Sequence, residues 1–167
     1  MPTGIVALQD DGEVLLLDLT KFHYDESTKS YTDGTTTYEE GYWYEGSTFA
    51  TLKATSFDEL KYFTNLETIR NSAFYKCTSL SSVTIPNSVT TIGEYTFYNC
   101  TSLSSVTIPN NVTTIGKYTF YNCTSLSNIN FNGTIAQWKA ITKGTGWNTY
   151  VPSTTKVTCT DGQTTMD

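Results

Sequence analysis

A 23-residue internal repeat is the sequence feature that most constrains how this chain can fold. Residues 80–102 read LSSVTIPNSVTTIGEYTFYNCTS, and residues 103–125 differ from them at only two of 23 positions. A less regular copy covers residues 57–79, and a fourth begins at residue 126 and then loses the spacing. A fixed period of this length predicts a stack of similar coils, because a single unit is too small to bury its own apolar face.

The apolar positions within one unit predict the path of a coil. Val83 and Ile85 alternate with polar residues, which indicates a short strand with one face turned inward. Pro86 lacks a backbone N–H and should end that strand, and Gly93 permits a tight bend or a positive φ. Residues 94–99 then bring the chain back through a turn or a single short helical turn, with Phe97 pointing into the core.

Weaker versions of the same pattern continue to the C-terminal end. In the fourth copy Trp138 falls one full period after Ile115, so we align the two as equivalent core positions. A step that is five positions longer than the period leads from Ile129 to Val157. This longer spacing predicts that residues 154–160 form a last short strand that closes the stack.

Charge divides the chain into two regions. Residues 1–67 hold 13 of the 16 acidic residues and only four lysines, a net charge of −9, whereas residues 68–167 have a net charge of +3. Such a change in composition is typical of a boundary between two regions. We therefore expect an acidic, Tyr-rich β element at 1–50 and a solenoid at 51–167, the latter made of units 57–79, 80–102, 103–125 and 126–153 and the closing strand 154–160.

The N-terminal region has the sequence pattern of short hairpins. Asp11-Gly12 lies between the apolar residues 5–8 and 14–17, and Asp33-Gly34 lies in a similar setting. Asp-Gly between two apolar runs is a typical hairpin turn, and the ligand spacing of a calcium-binding EF-hand loop is absent. We expect this small β element to cap the first coil, whose strand edge would otherwise be open. The alternative is a separate region that attaches the protein to an assembly.

The repeat template S-V-T-I-P, V-T-x-I-G, F-x-x-C-x-x-L resembles that of the BspA-like class of leucine-rich repeats, over about residues 57–160. The resemblance implies a curved solenoid with a parallel sheet along one side and a C-terminal cap that runs from Ile135 through Trp147 to Gly162. Thr96 and Thr119 depart from the family pattern, which favours Ala there. We therefore predict a β-rich leucine-rich-repeat solenoid of short parallel strands with turns and short 3-10 or helical segments, a small N-terminal β element and a C-terminal cap.

Four cysteines invite a metal or disulfide interpretation. Cys77, Cys100 and Cys123 recur once per repeat, whereas the cysteines of a zinc site come in closely spaced pairs. In stacked coils their side chains run parallel, which disfavours disulfide geometry. We expect three buried free thiols, with disulfides and a metal as open alternatives. Cys159 occupies the position of Ile85 in its coil and is expected to be a small buried side chain.

No sequence motif points to catalysis. His23 is the only histidine, and no G-x-S-x-G, H-E-x-x-H or glycine-rich phosphate loop occurs. We predict a protein that is not an enzyme and needs no cofactor or metal. Its acidic net charge and scattered basic residues argue against nucleic acid as a partner. No apolar run is long enough to insert into a membrane, and the N-terminal residues Met1-Pro2-Thr3-Gly4 do not begin a signal peptide.

Tyrosines form the candidate binding surface. Exposed tyrosine rows can stack on sugar rings or anchor a protein partner, but neighbouring tyrosines can also stack on one another to cover the edge of the core. Glu94 and Lys117 occupy the same position in adjacent coils and should form an ion pair. The candidate residues are Tyr95 and Tyr118 in one row and Tyr75, Tyr98 and Tyr121 in another.

Two functions fit these features. The first is an adhesion module at a bacterial cell surface or elsewhere outside the cell, which binds a host protein or a glycan through the solenoid. The second is a structural or attachment component of a larger assembly, such as a phage virion fibre or decoration protein, mounted through residues 1–50. In the second case residues 1–50 would supply a self-association or assembly contact.

Overall fold

The computed structural model of the chain describes five short strands between residues 7 and 39, residues 55–56 and 60, and residues 66–166. The N-terminal strands form two antiparallel sheets, one of two strands and one of three. Leu8 pairs with Val14 and Thr32 with Thr37, on either side of the two Asp-Gly sequences, which confirms the predicted hairpins. The strands are β1 (Ala7–Leu8), β2 (Val14–Leu15), β3 (His23–Asp25), β4 (Ser30–Thr32) and β5 (Thr37–Glu39).

The coils at 80–102, 103–125 and 126–153 each contribute one strand to each of two parallel sheets. The predicted strand that contains Val83 lies in the first sheet, where Val83 pairs with Val106. The second sheet was not predicted; its strands are too short for an alternating pattern to show. The first sheet consists of β7 (Ser82–Thr84), β9 (Ser105–Ile108), β11 (Asn128–Phe131) and β13 (Lys156–Cys159), and the second of β6 (Thr68–Ile69), β8 (Thr91–Ile92), β10 (Thr114–Ile115) and β12 (Thr142–Lys143).

The turns form a third hydrogen-bonded side. As predicted, residues 94–99 return the chain by turns. Their backbone N–H groups donate to the next coil, from Tyr95 to the Lys117 carbonyl at 2.9 Å and from Phe97 to the Thr119 carbonyl at 2.8 Å. Asn99 makes the equivalent bond to the carbonyl of Tyr121. Consecutive coils are therefore joined by backbone hydrogen bonds on all three sides of the solenoid.

Gly93 is required for close approach between coils rather than for a positive φ. It is not among the residues with positive φ, so that part of the prediction is wrong. A Cβ at this position would lie 2.5 Å from the backbone nitrogen of Asn71 in the preceding coil. The positive φ angles fall instead on Tyr95 (56°) and Asn99 (58°), within the turn.

The core is built from columns of identical side chains. Phe97 points inward as predicted and stacks between Phe74 and Phe120, with ring centroids 5.1 and 5.3 Å apart and nearly parallel planes. Thr96 and Thr119 are fully buried, and their hydroxyls donate to the carbonyls of Gly93 and Gly116, each at 2.8 Å. The polar side chains that replace Ala are therefore satisfied within their own turn.

The fourth coil departs from the regular spacing at a short helix, α1 (Ile135–Ala140), which has a capping box between Thr134 and Gln137. Thr114 pairs with Thr142, which lies further along the chain than one period, so the alignment of Trp138 with Ile115 is wrong. Trp138 is buried, but on α1. The inserted helix accounts for the additional length of this coil.

Lys143 occupies the position of the fourth coil that pairs with Ile115. Its Nζ lies 4.8 Å from the ring centroid of Trp138 and 5.8 Å from that of Trp147, and donates to the carbonyl of Trp138 at 2.9 Å. Desolvation lowers the pKa of this amine. The column of isoleucines at this position therefore ends in a cation held between two indole rings.

The C-terminal end of the first sheet is an antiparallel hairpin. Val157 pairs with Ile129, which confirms the strand predicted from the longer spacing. That strand does not close the stack, however, because β14 (Gly162–Thr164) folds back and pairs with β13 along its outer edge. Asp161, in the connecting turn, accepts a hydrogen bond from the backbone N–H of Ile135 at the start of α1. No helix in the described part of the chain is long and apolar enough to span a membrane.

We predict that Phe97→Ala will lower the free energy of unfolding by about 3–5 kcal/mol, because it leaves a cavity at the centre of the phenylalanine column. The transition, followed by circular dichroism in guanidinium chloride, should remain cooperative because neighbouring coils share interfaces. The exposed Ser102→Ala variant is the control and should change stability by less than about 0.5 kcal/mol. A loss below about 1 kcal/mol for Phe97→Ala would contradict the packing described here.

Candidate recognition surface

The turn side of the solenoid brings together all five candidate tyrosines. Tyr75, Tyr98 and Tyr121 form one column, with centroid distances of 5.1 and 4.7 Å and interplanar angles of 12° and 2°. Tyr95 and Tyr118 form a second column, at 5.3 Å and 26°. The two columns are in contact, with centroids 5.8 Å apart in each coil. We call these five side chains, together with Tyr150, the tyrosine surface.

Stacking determines which part of each ring is accessible. In a stacked column the face of one ring covers the face of the next, so a ligand can reach mainly the ring edges and the hydroxyl groups. At one end of the first column the Nζ of Lys76 lies over the ring of Tyr75, 5.2 Å from its centroid. At the other end the ring of Tyr150 meets Tyr121 at 81°. The tyrosines therefore do stack on one another, and few ring faces remain for a sugar to cover.

Tyr150 extends the tyrosine surface and was missed in the sequence. Its ring centroid lies 5.1 Å from that of Tyr121, and its side chain is the most exposed large apolar group in the described residues. The sequence did offer one signal for Tyr150, because the aromatic residue Trp147 lies three positions before it. The ring of Trp147 contacts that of Phe120, with centroids 6.2 Å apart, and so continues the aromatic column into the fourth coil. Desolvation, followed by a hydrogen bond with Tyr150, raises the pKa of Tyr121.

Three tyrosines of this surface have a strained backbone. Tyr95, Tyr118 and Tyr150 have φ angles of 56°, 54° and 62°, in the left-handed region that bulky residues avoid. Asn99 and Asn122 also have positive φ, but asparagine tolerates this conformation. Residues held in such conformations cluster at functional sites, where the surrounding structure maintains the strain.

Charged groups border the tyrosine surface. Lys117 Nζ lies 3.7 Å from the Glu94 carboxylate, as predicted for adjacent coils, and both side chains are exposed. Each precedes a tyrosine of the second column, because Glu94 adjoins Tyr95 and Lys117 adjoins Tyr118. The exposed position of the ion pair limits its contribution to stability to about 1 kcal/mol.

The cysteine column lies inside the solenoid, away from the tyrosine surface. All four cysteines are buried and free, as expected from the repeat. The thiols of Cys100 and Cys123 donate to the carbonyls of Phe74 and Phe97, at 3.0 and 3.1 Å. Burial raises the pKa of Cys77 and Cys123 to about 12 and that of Cys100 further still. These thiols therefore act as small core side chains with a weak donor.

The other candidate residues give no site in the described structure. The two Asp-Gly segments that were compared with calcium loops are residues 10–13 and 32–35. Apart from the backbone of Thr32 in β4, they lie outside the described residues, as does the side chain of His23 in β3. Within the part of the chain that is described, no three His, Cys, Asp or Glu side chains come close enough to hold a metal ion.

A family model of the BspA type leucine rich repeat region matches residues 47–143, in six copies. The match covers more than half of the chain and includes every tyrosine of the surface except Tyr150. Searches of curated proteins and of solved structures found no match.

We predict that Cys77, Cys100 and Cys123 of the native protein will react with iodoacetamide at pH 8 at least about a thousandfold more slowly than in the unfolded chain, because their raised pKa values suppress the thiolate. Cys159 should react first of the four, because it is the most exposed of them at 9%. Its pKa is also raised, by burial and then by Asp161, so it should still react more slowly than in the unfolded chain. Mass spectrometry of labelled peptides measures these rates. Labelling of Cys100 at the unfolded rate would contradict the buried column.

Proposed function

This chain belongs to the BspA-type leucine-rich repeat family, and we propose that it is a non-enzymatic recognition module that binds its partner through the tyrosine surface. The family is one of protein-interaction and adhesion modules. The protein would act outside the cell, at a bacterial cell surface or on a virion, and its partner would be a host protein or a glycan. The residues that would make the contact are Tyr75, Tyr95, Tyr98, Tyr118, Tyr121 and Tyr150.

One observation carries this proposal. Only two large apolar side chains remain exposed in the described residues, Tyr95 at 36% and Tyr150 at 66%, and both belong to the tyrosine surface. Tyrosine is enriched at recognition surfaces because it combines a large apolar area with a hydrogen-bonding group.

The stacked arrangement also supports binding on energetic grounds. Each ring of the first column is held by its neighbours, at centroid distances of 5.1 and 4.7 Å, so little side-chain entropy is left to lose when a partner binds. Rigid aromatic side chains of this kind are typical anchors of binding surfaces.

We predict that the double variant Tyr95→Asn/Tyr118→Asn will lose at least about tenfold in affinity for the partner, because central aromatic anchors dominate binding energy. Asparagine tolerates the left-handed backbone, so relief of strain should offset much of the lost stacking, about 0.5–1.5 kcal/mol per pair. A matrix-protein and host-glycan array identifies the partner, and biolayer interferometry then measures the affinities.

The matched control is Thr84→Asn/Thr107→Asn on the outer face of the first sheet. The next coil has Asn130 at this position, so the control substitutions suit the strand. Thermal unfolding of both double variants checks that they fold. Undiminished binding by the tyrosine variant, or loss of binding in the threonine control alone, would reject the tyrosine surface.

A second candidate function is attachment to a larger assembly, such as a phage virion, through residues 1–50. Among the described strands, β1–β5 pair only with one another, and the acidic charge of the chain is concentrated in this region. Both features support the proposal that residues 1–50 form a separate element that binds another protein or a second copy of the chain.

We predict for this second function that the full chain will self-associate and that residues 51–167 alone will be monomeric. Light scattering after size-exclusion chromatography measures both masses, and circular dichroism verifies that the shortened chain is folded. Two monomeric species would remove the support for self-association through residues 1–50.

A further inference from the structure

The electrostatic character of the tyrosine surface follows from how its rings pack. An aromatic ring is negative over its faces and positive at its edge. In the first column the ring of Tyr98 has Tyr75 against one face and Tyr121 against the other, with interplanar angles of 12° and 2°. Stacking therefore hides the negative faces and leaves the positive edges and the hydroxyl groups for a partner.

Cations reinforce this character at two positions. The Nζ of Lys76 lies 5.2 Å from the ring centroid of Tyr75, so this ring also has a positive group over it. Lys117 borders the second column, where Glu94 offsets its charge at 3.7 Å. Glu94 is the only acidic side chain within the described repeats that precedes a tyrosine of this surface. The surface thus offers hydrogen-bond donors and positive potential.

We infer that the partner of the tyrosine surface is an acidic protein segment, whose carboxylates accept hydrogen bonds from the tyrosine hydroxyls and face Lys76 and Lys117. This inference rests on the recognition function proposed above and names the chemistry of the partner. A neutral sugar fits less well, because sugars bind aromatic residues through ring faces, and most of these faces are already covered. Although the whole chain is acidic, residues 68–167, which contain this surface, have a net charge of +3 and would attract an acidic segment to it.

The ion pair between Glu94 and Lys117 provides a matched pair of variants. Glu94→Gln frees the lysine, and Lys117→Gln frees the carboxylate, yet both break the same exposed ion pair. Any loss of stability should therefore be similar in the two variants, whereas their effects on an acidic partner should be opposite.

The probe is a short peptide of alternating Glu and Ser, compared with one of alternating Gln and Ser and with heparin, all titrated into the full-length chain at low ionic strength. We expect the Glu peptide to bind about tenfold more tightly than the Gln peptide. Glu94→Gln should tighten binding of the Glu peptide by about two- to fivefold, and Lys117→Gln should weaken it by a similar factor. Tyr95→Asn/Tyr118→Asn should abolish it, and added salt should weaken it.

Three results would overturn the inference of an acidic protein partner. The first is that the Glu and Gln peptides bind equally or not at all. The second is that Glu94→Gln and Lys117→Gln change the affinity for the Glu peptide in the same direction. The third is that heparin binds more tightly than the Glu peptide and that its binding depends on the tyrosines. The last result would assign the surface to a sulfated glycan and leave the proposed recognition function intact. The recognition function fails separately, if the tyrosine variant still binds the partner found on the array.

Discussion

Backbone hydrogen bonding between consecutive coils, on all three sides at once, is the constraint on which the rest of this structure depends. The two parallel sheets keep the register of the repeat, so that Thr68 pairs with Thr91 and Thr91 with Thr114. The turns add a third ladder through Tyr95 and its neighbours. Because the register is fixed on every side, each side chain must stack on its equivalent in the next coil. A repeat can accept only residues that pack well against copies of themselves.

The same constraint creates both the core and the candidate binding surface. Inward positions become columns of phenylalanine, isoleucine and cysteine, and outward positions on the turn side become columns of tyrosine. The backbone of the turn requires left-handed residues, for which glycine or asparagine would be less strained than Tyr95 and Tyr118. The tyrosine side chains must therefore contribute something that offsets this strain. Stacking between Tyr95 and Tyr118 offsets part of the strain within the fold, and the proposed contact with a partner would give these strained tyrosines a functional role.

The repeating part of the fold could be predicted from the sequence because identical units must make identical contacts. The inward positions of Phe97 and Cys100, the return by turns and the pair between Glu94 and Lys117 all follow from the period. The second sheet could not be predicted, since strands as short as β8 give no alternating pattern. The role of Gly93 is also invisible in one unit, because the atom that a Cβ would meet belongs to the preceding coil. The five tyrosines were found for the same reason as the core, whereas Tyr150 lies beyond the regular spacing.

At the C-terminal end of the repeat, the two sheets end in different ways. Lys143 takes the position that follows Ile115 in the isoleucine column. Burying its cation against apolar side chains alone would be costly. It lies instead over two indole rings and donates a hydrogen bond to a backbone carbonyl. A lysine at the outer strand of the second sheet also discourages further strands from pairing there. In the first sheet, β14 covers the C-terminal edge by pairing with β13. At the C-terminal end of the stack, the second sheet therefore ends at a strand with a lysine and the first sheet at a hairpin. Within the described solenoid, exposed aromatic area remains on the turn side, and a partner is best sought there.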